Sequence, residues 1–410
     1  MSLDDPIDFK GLRANAIRND DDSTRRKPGN NAATGVTAAG SRALLARAVA
    51  FYFRAPVKAF FRTRVDYLAY AKSINPRIQS GEFSWRTTTP GLLTHAVKTF
   101  GWRFIPEQVL PPLFANAAVG AILYTSYLQI LGAIHEPSSQ SAKRVFPPPS
   151  PGATFIAGYA AGGIQSFVAA PLDALQVRFE NREKHYDNKS MWAYGKGKLK
   201  DIGMRGIFAG WGLSFLKDSL GSAVFFSVFE YVKAQSYYRF VATYYGSLQP
   251  WVVTSLVEVR GIPSTSHHDI PIIKPHYVLE PSFLMLAGVA ASVAQQGIIY
   301  PLNKIQTMHY ERLEELDKKA RAYHRRSQAP GRMMRAYYQA YQETWRQCKV
   351  HAHSTGGLRK LLFRSFWWNS IKQTPATSAG LVVFELVRRR YGVGNEEVKI
   401  NEDGYDILLS

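Results

Sequence analysis

The sequence predicts an all-α membrane protein assembled from three tandem copies of a two-helix unit. The first sign is Pro171-Leu172-Asp173-Ala174-Leu175-Gln176-Val177-Arg178, which closes an uncharged run that begins at Gly152. Its shape returns 130 residues later as Pro301-Leu302-Asn303-Lys304-Ile305-Gln306-Thr307, and more faintly 115 residues earlier as Pro56-Val57-Lys58-Ala59-Phe60-Phe61-Arg62. A proline ending an apolar helix, followed at once by polar residues, reads as a kinked membrane helix delivering side chains to one aqueous end.

The context upstream of the proline also repeats. Gly158 lies 13 residues before Pro171 and Gly288 lies 13 before Pro301, within Ala157-Gly158-Tyr159-Ala160-Ala161-Gly162 and Ala287-Gly288-Val289-Ala290-Ala291-Ser292. Small residues four apart let membrane helices approach closely, so Gly158, Gly162 and Gly288 are the expected packing seam. The first copy has Ala43 and Arg47 there instead.

A further motif closes each copy. Phe229-Glu230-Tyr231-Val232-Lys233 and Phe384-Glu385-Leu386-Val387-Arg388 both read aromatic, acid, two residues, base. Acid and base three apart share one helical face, which pairs Glu230 with Lys233 and Glu385 with Arg388 in position. Twelve residues before each aromatic stands a lysine, Lys217 and Lys372. It would lie about 18 Å deeper along the helix, where a charge should face a cavity.

These repeats resemble the mitochondrial carrier family over residues 41 to 392, closely in copies two and three and poorly in copy one. The resemblance implies six tilted transmembrane helices around a central cavity, with amphipathic helices on the matrix side. It further implies a substrate held midway and ion-pair networks gating the two ends. Odd helices would carry the proline, and even helices the substrate contacts.

The chain then divides in order. Residues 1–40 are polar and read as disordered, too acidic for a presequence. Copy one spans 41–132; its first helix carries Arg47 and Arg54, and its second, Val109 to Leu131, is uncharged and long enough to cross. That second helix lacks the aromatic-acid-x-x-base ending, leaving Tyr124 or Tyr127 as remnants. A Pro- and Ser-rich linker, 133–151, leads to copy two, 152–240, and an inserted loop, 241–282. Copy three, 283–392, has an enlarged basic loop, and the acidic tail, 393–410, reads as mobile.

Net charge is +20, from 51 basic and 31 acidic residues, which invites a nucleic-acid reading. The distribution points elsewhere. Segment 308 to 364 has 13 Lys and Arg against 5 acids, whereas 236 to 282 has only Arg239, Arg260 and Lys274. Basic residues gather in the loops inside each copy, as one membrane side requires. Those matrix-side loops are candidates for cardiolipin contact, and no nucleic-acid partner is expected.

No phosphate loop, nucleophile motif or zinc-ligand set occurs, so an enzyme, a cofactor and a metal are not expected. His267, His268 and His276 lack ligand spacing and read as solvated loop. The lone Cys348 excludes an intrachain disulfide.

The candidate substrate contacts are Lys217, Asp218 and Lys372. By the resemblance, a basic-acidic pair on the fourth helix marks members handling amino acids. Two ammonium groups would hold a carboxylate while Asp218 receives an amino group. The plainer alternative pairs Lys217 with Asp218 so that both insert safely.

The gates depart from the family pattern. Acidic positions are taken by Lys58, Asp173 and Asn303, and basic ones by Phe61, Gln176 and Gln306. Each expected pair is broken: Lys58 with Gln176, Asp173 with Gln306, Asn303 with Phe61. Hydrogen bonds could survive there, but no ion pair is expected. At the opposite end Lys233 with Glu385 remains, while Glu230 and Arg388 lose their copy-one partners. The function expected is a carrier of a small anionic or zwitterionic metabolite, of the amino acid or carboxylate class, multi-pass in the mitochondrial inner membrane. The alternative is a carrier-like scaffold or adaptor without transport, for example in outer-membrane fusion or lipid handling.

Overall fold

The computed structural model describes residues 89–139, 147–180, 206–246, 248–259, 272–276, 278–323, 330–371, 398–402 and 405–409. To these it adds Val145, Lys196, Gly197, Leu199, Lys200, Gly203, Met204 and Thr374. Pro56, Lys58, Phe61, Lys372, Glu385 and Arg388 lie outside the described residues, and of Gln176 only the helical backbone is described.

Two short helices open the described chain. Helix α1, Thr89–Phe100, buries Leu92 and Ala96 against Phe104 and Val109. A π turn, Ile105–Val109, leads into α2, Leu110–Ile134, which stops three residues beyond the expected Leu131.

The centre of the fold is the pair α3, Pro151–Glu180, and α4, Trp211–Glu230. Ser150 starts α3: its Oγ accepts the N–H of Ala153 at 3.2 Å while Pro151 supplies a first residue needing no donor. The two helices pack along their length because the glycine seam removes side chains at the contact. A Cβ added at Gly158 would stand 2.8 Å from the Ser222 carbonyl, and one at Gly162 would stand 2.8 Å from Ser219 Cα. Gly288 is buried as well.

After α4 the chain passes through a π turn, Tyr231–Ser236, into α5, Tyr237–Tyr245, and then α6, Pro250–Val259. Helix α7, Leu279–Tyr323, has 45 residues and is about 67 Å long by its rise per residue. It runs on through Pro301 as α3 runs on through Pro171. Among the described residues two helices are long and apolar enough to cross a membrane, over Pro151–Ala174 and Leu279–Leu316; the apolar stretch of α2, Ala118–Ile134, is shorter. Helices α2, α3, α4 and α7 share one apolar core, built around Tyr124, Tyr127, Ala161, Phe226, Leu284 and Ala291.

The basic loop of copy three is helical in its described parts. Beyond α7 stand α8, Pro330–Thr355, and α9, Leu358–Phe363. Tyr337, Ala340, Thr344, Cys348 and Ala352 form the buried stripe of α8 at helical spacing. Gly356 and Gly357, at φ 88° and 118°, turn the chain between the two helices in a region that favours glycine.

Two expectations need correction. The fold is not purely α, and the acidic tail is not a mobile appendage. Strands β1, Ile272–Ile273, β2, Val398–Glu402, and β3, Tyr405–Leu409, form a sheet in the order β1-β3-β2. β3 pairs antiparallel with β2 and parallel with β1, with Ile273 opposite Ile407. The physical cause is a second apolar core joining Tyr237, Tyr238, Val241, Val253, Ile273, Tyr405 and Ile407. The tail alternates apolar and polar residues, and its apolar face covers the insertion.

Candidate functional site

Three helices meet at one nitrogen. Lys217 on α4 is 2% exposed, and its Nζ lies 3.2 Å from Asp173 Oδ2 on α3. The same ammonium donates to Gln306 Oε1 on α7. Gln306 is itself held in place: its Nε2 donates to Ser214 Oγ at 2.6 Å and lies 3.4 Å from Tyr310 Oη. The Ser214 and Tyr310 hydroxyls are 3.2 Å apart.

One sequence expectation changes here. Asp173 and Gln306 do face each other across α3 and α7, but a lysine stands between them. An ion pair therefore exists where none was expected, because its cation comes from α4 and not from the proline motif of α7. Lys217 reaches beyond its neighbour Asp218, to Asp173 and Gln306 on two other helices. Asp218 is 3% exposed. Burying a lysine and two aspartates is costly in an apolar bundle unless they are paired and hydrogen-bonded, and residues retained at such positions mark pathways.

Residues 147–239, which contain α3 and α4, match the family described as mitochondrial carrier protein. Over that stretch, under a quarter of its length, the chain is similar to mitochondrial carriers. It is also 28% identical over 132 residues to a protein named mitochondrial glycine transporter from Coccidioides immitis (strain RS). That match takes in 32% of this chain and 36% of the relative, so the chain matches little more than a third of that protein's length. The family and the relative are both named as mitochondrial.

At the other end of α4, Lys233 of the following π turn donates to Glu230 Oε1 at 3.0 Å, three residues back. The lysine also lies 5.3 Å from the centre of the Phe229 ring. Its expected partner Glu385 is outside the described residues. Tyr124 and Tyr127 are core: Tyr127 stacks on Phe226 with centroids 3.7 Å apart, and Tyr124 meets the same ring edge-on at 5.5 Å.

Asn303 is exposed, and its carbonyl accepts the Thr307 hydroxyl at 3.0 Å. Sequence reasoning passed over its neighbour. Lys304 Nζ donates to the Leu361 carbonyl at 2.9 Å and the Arg364 carbonyl at 3.3 Å. It thus satisfies acceptors at the end of α9 that the helix leaves open. Ser214 and Tyr310 were also missed, because a lone serine and tyrosine carry no signal until α4 and α7 are packed. Tyr341 of α8 fixes that packing from outside, donating to the Ala209 carbonyl at 2.8 Å; burial raises its phenol above the ordinary range.

Proposed function

We propose that this protein is a mitochondrial solute carrier moving a small anionic or zwitterionic metabolite, of the amino acid or carboxylate class, by alternating access. The observation that carries this reading is the buried Lys217, held on Asp173 and Gln306 with Asp218 beside it. An ammonium and a carboxylate adjacent on one helix suit a zwitterion, whose two charges need opposite partners. The relative named a glycine transporter supports the same class, over the portion matched. In this reading Lys372 supplies the second cation and Asn303 lines the inner end.

The carrier would cross the inner membrane six times. The sheet supports an even count after the insertion: β1 and β3 pair directly, so the chain between them must return to the side it left. Helix α7 would make one crossing, and the segment ending Phe384-Glu385-Leu386-Val387-Arg388 the return. The tail and insertion then share the outer side, and α8 and α9 the matrix side, with their bases toward anionic lipid.

Uptake by the purified carrier in liposomes tests this directly. Labelled glycine, glutamate, 2-oxoglutarate, a nucleotide and phosphate are offered in turn. One amino or keto acid should accumulate in wild type and fail to do so in Lys217→Ala and Lys372→Ala. No uptake of any class by folded protein would defeat the transport reading and turn attention to protein partners.

A further inference from the structure

Lys217 occupies the space that the repeat pattern gives to a pair between α3 and α7. Asp173 keeps the acid of its proline motif, and Gln306 stands where the motif of α7 would carry a base. The Lys217 ammonium fills the gap, 3.2 Å from Asp173 and hydrogen-bonded to the Gln306 carbonyl oxygen. The Gln306 amide is turned by Ser214 and Tyr310 so that its oxygen, not its nitrogen, faces the cation. Side chains of these five residues all lie inside the bundle: Ser214 is 0% exposed, Tyr310 1%, Gln306 3% and Asp173 8%. A chance contact would not explain an amide held by two hydroxyls in the one orientation that accepts from Lys217.

We propose that Lys217 is the closing cation of the inner gate, supplied by α4 in place of the base missing at position 306, and that a solute carboxylate opens the gate by drawing Lys217 off Asp173. This rests on the carrier reading above. The same nitrogen then serves lock and ligand, so binding and release of the gate are one event. Selectivity follows: a solute without a carboxylate has nothing to offer Lys217 and leaves the gate shut. Ser214 and Tyr310 are positioning residues in this scheme, acting through Gln306.

The test moves the cation. Full-length protein in detergent is unfolded by heat while a fluorogenic maleimide reports exposure of Cys348. Lys217→Gln should lower the midpoint by several degrees. Gln306→Lys alone sets two cations against one carboxylate and should lower it too. The double variant Lys217→Gln with Gln306→Lys restores one cation to Asp173 and should recover most of the loss. A double variant no more stable than Lys217→Gln would overturn the lock. In liposomes the same double variant should lose at least tenfold of its uptake of whichever carboxylate the wild type carries, while unchanged uptake would overturn the opening role. The melting experiment needs no transport, so a wild type that moves nothing defeats the carrier reading and still leaves the lock to be read.

Discussion

The Tyr405 hydroxyl donates to the backbone carbonyl of Tyr245, a residue 160 positions earlier in the chain. The same oxygen accepts the N–H of Leu248 at 3.3 Å. One side chain of the tail thus satisfies both a donor and an acceptor at the turn between α5 and α6. Tyr405→Phe should cost about 1 kcal/mol, the usual net worth of such a bond. Removing residues 398–410 should do far more locally, uncovering Val241, Val253 and Ile273. Hydrogen exchange is expected to rise at 238–256 and 272–273 while α3 and α4 keep their protection. Equal exchange in both forms would mean that the tail does not hold the insertion.

The Gly162 position leaves no room for any side chain, since an added Cβ would fall on the backbone of Asp218 and Ser219. Backbone cannot step aside as a side chain can. Gly162→Val should therefore destabilise by about 3 kcal/mol or more, beyond ordinary overpacking. Gly163→Ala meets side chains and not backbone, the Phe215 ring at 2.9 Å and Ser219 Oγ at 3.4 Å, and should cost less. Gly152→Ala meets nothing and should be close to neutral. Thermal midpoints in detergent check the ranking, and a Gly162 variant as stable as the Gly152 one would refute the seam.

That seam was legible in the sequence because equal spacing before two prolines is a one-dimensional signal. The partner of Lys217 was not, since Asp173 is 44 residues away and Gln306 is 89. Their meeting depends on how three helices are rotated about their axes, which no local pattern records. The sheet was hidden for a similar reason: Ile273 and Ile407 are 134 residues apart in the sequence and pair only in the folded chain. The extension of α7 was legible but overruled. Its Glu311 to Lys319 stretch has strong helix formers and an Arg312–Glu315 pair at 2.7 Å, yet its charge led to its being read as loop.

Cys348 is fully buried on α8, near Met308 of α7 at 3.6 Å, and burial raises its thiol above the ordinary value of 9.0. The thiolate is the reactive form, so native protein should label slowly with maleimide at neutral pH and fully once unfolded. The sign of the linkage follows. A raised pKa in the fold means that its contribution is intact below about 9 and is lost as pH rises through the folded value. Stability should decline above that pH in wild type and decline less in Cys348→Ala. Rapid native labelling would show that α8 does not stay docked on α7.

Phe226 gives one ring to two tyrosines of α2, stacked on Tyr127 and edge-on to Tyr124. It is 2% exposed, and the helix that carries it also carries Lys217. Phe226→Ala should cost about 3 to 5 kcal/mol, through lost burial and the cavity left between α2 and α4. Phe226→Leu keeps most of the apolar volume but not the stack, so it isolates the ring geometry. Paired with Tyr127→Leu in a double-mutant cycle, it should return a coupling of about 0.5 to 1.5 kcal/mol. A coupling near zero would mean that volume alone joins the first repeat to the second. A coupling in the expected range would mean that the eroded copy is held to the bundle by these rings. Its contribution there would be apolar packing where the second copy uses Glu230 with Lys233.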